Sequence, residues 1–234
     1  MHKPYSSSFS ISGDESEKNA DSIDINWFDS NSFTVALADG VGKNVHGPEA
    51  ARTATQIAVT AKQTESIQEI FEKARNAMLT GAKATPGAIW STTLTVCRVS
   101  GTHASVGHVG DARLYHLRGN GIITRTRDQT ELQTLIDEGI LSKERAKKYP
   151  RRNVLLSALS SESTYELQLS AFEVEAGDRL LLLSDGVYRQ IPRKEIATMS
   201  ANSESEDDLV EKLKALLLSR GIIDDSSAIC VEIR

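Results

Sequence analysis

The sequence predicts an α+β fold in which two antiparallel sheets stack on each other and helices cover the outside. Most β-rich segments are joined by only a few residues, and strands with such short links pair antiparallel. Helical patterns come in groups and do not alternate with single strands, unlike in a parallel βαβ fold. No repeat, low-complexity segment or linker divides the 234 residues. We therefore expect one domain over residues 1–234.

The first half of the chain predicts strands around two helices. The predicted strands cover residues 5–12, 23–28, 33–38, 91–99, 103–109, 112–117 and 121–126, with a hairpin turn over 118–121. One helix begins at Pro48, whose fixed φ suits the first turn of a helix. The other covers residues 66–80, where Ser66 and Glu69 have the spacing of a capping box. We expect residues 13–21 and 81–90 to be loops.

The second half predicts short helices between further strands. Helices are expected over residues 130–138, 142–148 and 192–199, and a longer one follows Ser205, which caps a leucine-rich stripe. Strands are expected over residues 154–159, 165–172, 179–183 and 228–233. Runs of strands followed by runs of helices complete the α+β prediction.

The bulk composition excludes several classes of protein. Hydrophobic residues make up 39% and charged residues 25%, as in ordinary globular proteins. The net charge of −5 disfavours nucleic acid as a partner. No apolar run approaches the roughly 18 residues that span a bilayer, and no signal peptide is recognisable, so we expect no membrane association. Cys97 and Cys230 lie in predicted strands, and two buried, reduced thiols suit a cytoplasmic location.

Acidic residues recur where predicted strands begin or end. The apolar segment over 33–38 stops at Asp39-Gly40, and such a pair on its own is most often a turn. Similar acidic positions occur at three distant places, which are Asp111, Asp185 and Asp224-Asp225. Turn chemistry alone does not require this recurrence. If the fold brings these side chains together, their oxygens form a cage suited to Mg²⁺ or Mn²⁺.

Four short motifs share the order and spacing of a known family. They read A-L-A-D-G-V-G from Ala36, G-D-A-R from Gly110, S-D-G from Ser184 and D-D-S-S from Asp224. Residues 91–93, 126–130 and 153–159 agree in order and spacing as well. This set, over about residues 13–233, resembles the metal-dependent protein phosphatases of type 2C. The resemblance implies a four-layer α/β-β/α sandwich that hydrolyses phosphoserine and phosphothreonine in phosphorylated proteins, with a cognate Ser/Thr kinase or its substrate as the expected partner.

The resemblance also assigns roles to individual residues. It implies two Mg²⁺ or Mn²⁺ ions, with a third possible. Asp39 would bridge two ions and position the attacking water, and Gly40 would offer its carbonyl oxygen to one ion. Asp185 and Asp224 would complete the shell of the other ion, and Asp111 would belong to a third site. No protein nucleophile and no phosphoenzyme are expected.

The first motif of the family departs from its usual form. Where the family has R-x-x-N-E-D, this chain has Asn19 and Asp21 in their places, but Ser16 replaces Arg and Ala20 replaces Glu. The missing Arg would bind the substrate phosphate. Lys18 is a candidate to supply that cation, although a solvated loop lysine explains it equally well.

Three further positions leave alternatives open. Arg189 lies four residues after Asp185, where many members carry an acidic residue. It would either bind phosphate or weaken a second or third metal site by repulsion. Gln129 replaces a His of the family. His46 is either an ordinary loop residue or a general acid for the leaving group.

Two other functions therefore remain open at this point. The departures at Ser16, Ala20 and Arg189 fit a weakly active or inactive member that binds phosphoproteins and regulates a partner. A phosphatase for a small phosphorylated metabolite is a third possibility.

Overall fold

The computed structural model describes residues 5–13, 18–41, 46–146 and 148–234. The strands in these residues are β1 (Ser6–Ile11), β2 (Asp21–Asp29), β3 (Ser32–Asp39), β4 (Ser91–Thr92), β5 (Leu94–Ser100), β6 (His103–Val109), β7 (Arg113–Arg118), β8 (Gly121–Thr124), β9 (Leu159–Ser160), β10 (Gln168–Glu173), β11 (Arg179–Leu183) and β12 (Ser226–Glu232). The helices are α1 (Gly47–Thr60), α2 (Ile67–Ala84), α3 (Glu131–Asp137), α4 (Lys143–Ala146), α5 (Asp185–Tyr188), α6 (Arg193–Ala201) and α7 (Glu206–Arg220). None of the helices formed by these residues is long and apolar enough to cross a membrane.

The strands form two five-stranded antiparallel sheets. The first has the order β1-β12-β11-β7-β8 and the second has the order β10-β6-β5-β3-β2. A separate two-stranded sheet pairs β4 with β9. The predicted hairpin is present, because Arg118 pairs with Gly121 across a turn in which Gly119 has a φ of +53°. The antiparallel prediction is therefore confirmed.

Strand β3 is buried on both of its faces. Phe33, Val35 and Leu37 belong to the core between the two sheets, together with residues of β11 and β12. Ala36 and Ala38 face the other way, into a core shared with α1 and α2. Their small side chains let the helices pack closely on the sheet. A strand that is buried on both faces reads as an uninterrupted apolar run, as this one does in the sequence.

Strand β11 has the same double burial in the first sheet. Leu180 and Leu182 enter the core between the sheets, whereas Leu181 and Leu183 face the helices α5, α6 and α7. The order of layers is therefore helices, sheet, sheet and helices. This arrangement confirms the predicted four-layer α/β-β/α sandwich.

Helix α2 corrects one sequence prediction. Residues 81–90 were expected to be a loop, but the helix continues to Ala84. Gly81 lies within the helix, and a Cβ at this position would lie 2.6 Å from the ring of Trp90. The glycine lets the indole pack directly on the helix. The capping box of Ser66 and Glu69 is present as predicted.

The segment before β10 corrects another prediction. Residues 154–159 were expected to form a strand, but only Leu159 belongs to one, in β9. Leu155 makes an isolated bridge with Thr130, and the Leu156 N–H donates to the Gln129 carbonyl oxygen at 2.8 Å. These backbone groups are satisfied by a neighbouring loop and not by a strand ladder, so no sheet forms there.

Candidate active site

One cleft of the described chain collects residues from distant motifs. Its volume is about 820 Å³. Five aspartates line it, and they are Asp39, Asp111, Asp185, Asp224 and Asp225. The side chains that surround them include Lys18, His46, Glu49, Thr93, Asn153 and Arg189. The structure thus brings together the residues that sequence analysis predicted as metal ligands and as phosphate ligands.

Asp39 is held firmly at the end of β3. Its backbone N–H donates to Thr93 Oγ1 at 2.9 Å, and its carbonyl oxygen accepts from the Thr93 N–H at 2.8 Å and from Thr92 Oγ1 at 2.9 Å. The neighbouring Gly40 donates its N–H to the Ala20 carbonyl oxygen at 3.0 Å. A side chain on so constrained a backbone is well placed to act as a fixed ligand.

Two glycines permit close approaches that build the cleft. A Cβ on Gly40 would lie 2.5 Å from the backbone of Gly47, where α1 begins. A Cβ on Gly186 would lie 2.1 Å from the carbonyl oxygen of Asp225. Any larger residue at these positions would push backbone segments apart. The Gly in each Asp-Gly pair is therefore required by the close contact across the cleft.

Asp21 belongs to the site although sequence analysis did not place it among the ligands. It pairs directly with Asp39 across β2 and β3. Both of its carboxylate oxygens are buried and have no hydrogen bond of ordinary geometry among the described residues, although the hydroxyl groups of Ser184 and Ser227 lie near enough to oppose the rise of its pKa. Two carboxylates opposite each other on adjacent strands repel, so this arrangement favours a cation between or beside them.

Asp185 and Asp224 are brought together by the chain segments that carry them. The Ser184 N–H donates to the Ser227 carbonyl oxygen at 3.0 Å, and the Ser227 N–H donates to Ser184 Oγ at 2.9 Å. Asp225 is occupied elsewhere, because its carboxylate accepts from the N–H groups of Gly13 at 2.8 Å and Ala20 at 2.6 Å. Of the two adjacent aspartates, these contacts favour Asp224 as a ligand and leave Asp225 to hold the loop before β2.

Asp111 is buried and already has two donors. Tyr188 Oη donates to Asp111 Oδ2 at 3.2 Å, and Arg189 Nη2 lies 3.3 Å from the same oxygen. Arg189 Nη1 lies 2.5 Å from Asp185 Oδ2. The guanidinium of Arg189 therefore bridges two of the predicted metal ligands.

The carboxylates raise one another's pKa values. Burial raises the pKa of Asp39 well above its ordinary range, and the charges of Asp21, Asp185, Asp111 and Asp224 raise it further. Burial, with the charge of Asp185, raises the pKa of Asp111 to about 7 although Arg189 opposes the shift. Burial raises the pKa of Asp21 to about 7. So many crowded acids indicate a site that a cation would stabilise.

Gln129 replaces the expected His without losing the local structure. Its side-chain oxygen accepts from the Gly110 N–H at 2.8 Å, and its side-chain nitrogen donates to the Glu166 carbonyl oxygen at 2.7 Å. Its own N–H donates to the Gly110 carbonyl oxygen at 2.8 Å. An amide serves as donor and acceptor at once, so Gln129 fixes the turn that presents Asp111.

The other candidate residues have less definite surroundings. Lys18 is 78% exposed and lies 3.6 Å from Glu49. The ring of His46 stacks near Trp90, with 6.1 Å between centroids, and lines the cleft. Ser16 and Gly42 lie outside the described residues. Among the described residues, no hydrogen bond fixes Lys18 or His46 in place as several fix Asp39.

The residues of the cleft fit a hard divalent ion. In the described part of the chain, no three His, Cys, Asp or Glu side chains already stand close enough to hold an ion together. Arg189 contacts both Asp111 and Asp185, so its positive charge already offsets part of theirs. The donors are all oxygens, and the two buried oxygens of Asp21 need a positive partner. Both observations match the chemistry of Mg²⁺ or Mn²⁺.

Comparisons with known proteins agree with this description. The chain is 32% identical over 161 residues to the serine/threonine protein phosphatase PstP of Mycobacterium tuberculosis, a match covering 65% of this chain and 31% of PstP. This chain therefore matches about a third of that relative's length. It is 27% identical over 210 residues to the serine/threonine phosphatase stp of Listeria welshimeri, covering 85% of this chain and 83% of stp.

Solved structures share the fold. The crystal structure of the M. tuberculosis phosphatase PstP/Ppp has a TM-score of 0.84 at 26% identity and covers 98% of each chain. The catalytic domain of PstP in complex with two manganese ions has a TM-score of 0.81 at 24% identity and covers 97% of each chain.

The family comparison covers most of the chain. The protein phosphatase 2C family model matches residues 14–218, which include Asp21, Asp39, Asp111 and Asp185. Asp224 lies just beyond the match and is placed in the cleft by the structure alone. The order of the motifs, the four-layer architecture and this match agree, and the chain belongs to the protein phosphatase 2C family.

Proposed function

We propose that this chain hydrolyses phosphoserine and phosphothreonine in proteins with the help of Mg²⁺ or Mn²⁺. One observation carries the proposal. Carboxylates from four separate places in the chain line one cleft of a phosphatase 2C fold, and they are Asp39, Asp111, Asp185 and Asp224, with the buried Asp21 paired beside Asp39. The names of the relatives in M. tuberculosis and L. welshimeri support the substrate class.

Asp39, Asp185 and Asp224, with the carbonyl oxygen of Gly40, are our proposed ligands for two ions. The two manganese ions in the PstP catalytic domain support this number. Such ions, when bound, supply Lewis-acid chemistry that lowers the pKa of water and offsets phosphoryl charge. Asp21 lies beside Asp39 and adds negative charge that favours the ions.

The chain itself orients the substrate and the ligands. Asp39 is our proposed residue for holding both ions, and its constrained backbone would fix the position of the water that attacks the phosphorus, so that no protein nucleophile is required. Arg189 and Lys18 are the proposed cations for phosphoryl oxygens. Arg189 is the more buried of the two, and a guanidinium has five N–H donors, so contacts to two carboxylates leave others for a phosphate.

The test is hydrolysis of a phosphothreonine peptide and of p-nitrophenyl phosphate by the full chain with added Mn²⁺. We expect activity that excess chelator abolishes. Asp39→Asn and Asp185→Asn should each lower kcat at least about 100-fold, because each removes charge that acts on the transition state. Asp207→Asn is the matched control, since Asp207 is an exposed acid on α7 whose side chain contacts Ser7.

Two outcomes would contradict the proposal. Full activity in excess chelator would rule out the metal requirement, and unchanged rates in Asp39→Asn and Asp185→Asn would remove the cleft from the reaction. Tight capture of the phosphopeptide without turnover would support a phosphoprotein-binding module. Turnover of small phosphorylated metabolites but not of the peptide would favour a metabolite phosphatase.

The setting of the reaction is part of the same proposal. Cys97 and Cys230 are buried and free, which suits a reducing cytoplasm. We propose that the substrates are products of a Ser/Thr kinase, or the kinase itself. We also propose that residues 1–234 act as one domain, since β1 and β12, from opposite ends of the sequence, pair in the first sheet.

A further inference from the structure

We propose that Arg189 is a built-in replacement for a third metal ion, so that Asp111 binds no divalent ion in this chain. The inference rests on the proposed function and specifies its cofactor count. Arg189 Nη2 lies 3.3 Å from Asp111 Oδ2, and Nη1 lies 2.5 Å from Asp185 Oδ2. One positive group thus joins Asp111, the predicted ligand of a third ion, to Asp185.

Helix α5 places the guanidinium where it is. Arg189 follows Asp185 by four residues, and its N–H donates to the Asp185 carbonyl oxygen at 3.0 Å. Residues four apart on a helix lie on the same face, so both side chains point into the cleft. The side chain of Arg189 is 22% exposed, compared with 13% for Asp185 and 6% for Asp111. The contact is therefore shielded from water and is not a surface ion pair.

A second layer of residues holds the same arrangement. Tyr188 Oη donates to the oxygen of Asp111 that Arg189 also contacts. The guanidinium of Arg113 lies 3.8 Å above the ring of Tyr188 and binds Asp128 through two hydrogen bonds of 3.0 and 2.7 Å. Tyr188, which Arg113 holds in place, therefore orients Asp111 together with Arg189. Such support is typical of a permanent structural contact.

An arginine at this position excludes a metal ion more strongly than a neutral residue would. Its guanidinium is not deprotonated in proteins, so it always presents a positive charge. A divalent ion at Asp111 would have to displace this group or lie within a few ångströms of it, and the two charges would repel. Three N–H donors of Arg189 stay free of these contacts, so the same residue is still able to meet a phosphoryl oxygen.

The test counts Mn²⁺ ions bound to the metal-stripped full chain by calorimetric titration and by equilibrium dialysis. We expect the unmodified chain and Asp111→Asn to bind the same number of ions. Arg189→Gln should bind one more ion, because Asp111 and Asp185 then lack their cation. The double variant Asp111→Asn with Arg189→Gln should lose that extra ion. Arg234→Gln is the matched control, because it removes one charge from an arginine that pairs with Glu232, at the end of the first sheet opposite to Asp185.

Thermal unfolding gives a second readout. Without metal, Arg189→Gln should unfold at a lower temperature than the unmodified chain, and Mn²⁺ should raise its Tm by more than it raises that of the unmodified chain. Arg189→Lys keeps a positive charge and should keep the unmodified ion count. If Arg189→Gln does not fold, the comparison of Asp111→Asn with the unmodified chain still decides.

Loss of an ion in Asp111→Asn alone would overturn the inference, because Asp111 would then be a metal ligand beside Arg189. No gain in a folded Arg189→Gln would overturn it as well. The failure of the proposed function looks different. An unmodified chain that binds no Mn²⁺ contradicts the phosphatase mechanism, and a single ion gained by Arg189→Gln in that case would still support the replacement of a metal by Arg189.

Discussion

Gly186→Ala tests whether close backbone contact assembles the cleft. The added Cβ would lie 2.1 Å from the Asp225 carbonyl oxygen and 2.6 Å from Ser226 Oγ. An ordinary contact of this kind begins near 3.4 Å, so the segments around residues 186 and 225 must separate by about 1.3 Å. That movement increases the distance between Asp185 and Asp224, which lie on the two segments.

The size of the effect follows from this displacement. Overpacking of a tight contact costs roughly 1–3 kcal/mol in the free energy of unfolding. A misplacement of about 1 Å in a catalytic group costs on the order of 100-fold in rate. We therefore expect kcat for the phosphothreonine peptide to fall much more than stability alone explains.

The assay combines kinetics at saturating Mn²⁺ with urea unfolding of the same samples. Gly107→Ala is the matched control, because its Cβ would meet Ile67 and Phe71 in the helix-facing core and not the cleft. We expect the control to lose stability and to keep most of its kcat per folded molecule. Wild-type kcat in a folded Gly186→Ala, or an equal loss of kcat in both variants, would refute the reasoning.

Three other residues give independent predictions. Burial lowers the pKa of His108 to about 4, so the free energy of unfolding should fall by up to about 3 kcal/mol as the pH falls from 6.5 to 4. His108→Gln should remove this fall, as measured by urea unfolding of the metal-stripped protein. Gln129→Ala should lower the free energy of unfolding by about 1–3 kcal/mol and weaken Mn²⁺-dependent activity, because the Gly110 N–H loses its buried acceptor. Ser66→Ala should lower stability by about 1 kcal/mol and leave kcat unchanged, because it removes only the capping box with Glu69.

The sign of the His108 prediction follows from which state binds protons. The folded-state pKa lies below the usual value of 6.5, so the unfolded chain takes up protons first as the pH falls. This contribution is complete above pH 6.5 and is lost towards pH 4. His103→Gln is the control, because His103 is an exposed residue beside Glu173. Parallel pH profiles for the unmodified chain and His108→Gln would contradict the prediction.

A specific result would contradict each of the remaining two predictions, on Gln129 and on Ser66. A Gln129→Ala variant that is as stable as the native chain would show that neither side-chain hydrogen bond of Gln129 matters. Gln129→Glu is the nearly isosteric comparison, because it does not reproduce the amide donor to the Glu166 carbonyl oxygen. A kcat that falls in Ser66→Ala would mean that the cap of α2 reaches the cleft, which no contact described above suggests.

The sequence was sufficient for elements whose local pattern has one physical explanation. The leucine run of β11 is apolar throughout because it is buried on both faces. Ser66 and Glu69 predicted the start of α2 because the capping box is satisfied within four residues. The strand prediction for residues 154–158 was wrong for the opposite reason. Their β-like composition has no partner strand, and a strand without a partner is not formed.

The limits at the site have similar causes. Arg189 lies four residues from Asp185, a spacing that indicates contact only on a helix, but α5 has four residues and shows no periodic pattern. Asp21 faces Asp39 because of the register of β2 and β3, which local sequence does not determine. Sequence analysis identified Arg189 as a departure from the family pattern and Asp21 as a match to its first motif. Their partners became apparent only in three dimensions.

The position of β12 has a consequence for how the protein is made. This strand lies between β1 and β11, so the first sheet has a gap until residues 226–232 have left the ribosome. Until then β1 has no ladder partner, and Asp224 is absent from the cleft. A nascent chain therefore carries an exposed sheet edge until β12 is added, which favours chaperone binding, and the set of aspartates in the cleft is complete only after that strand is inserted.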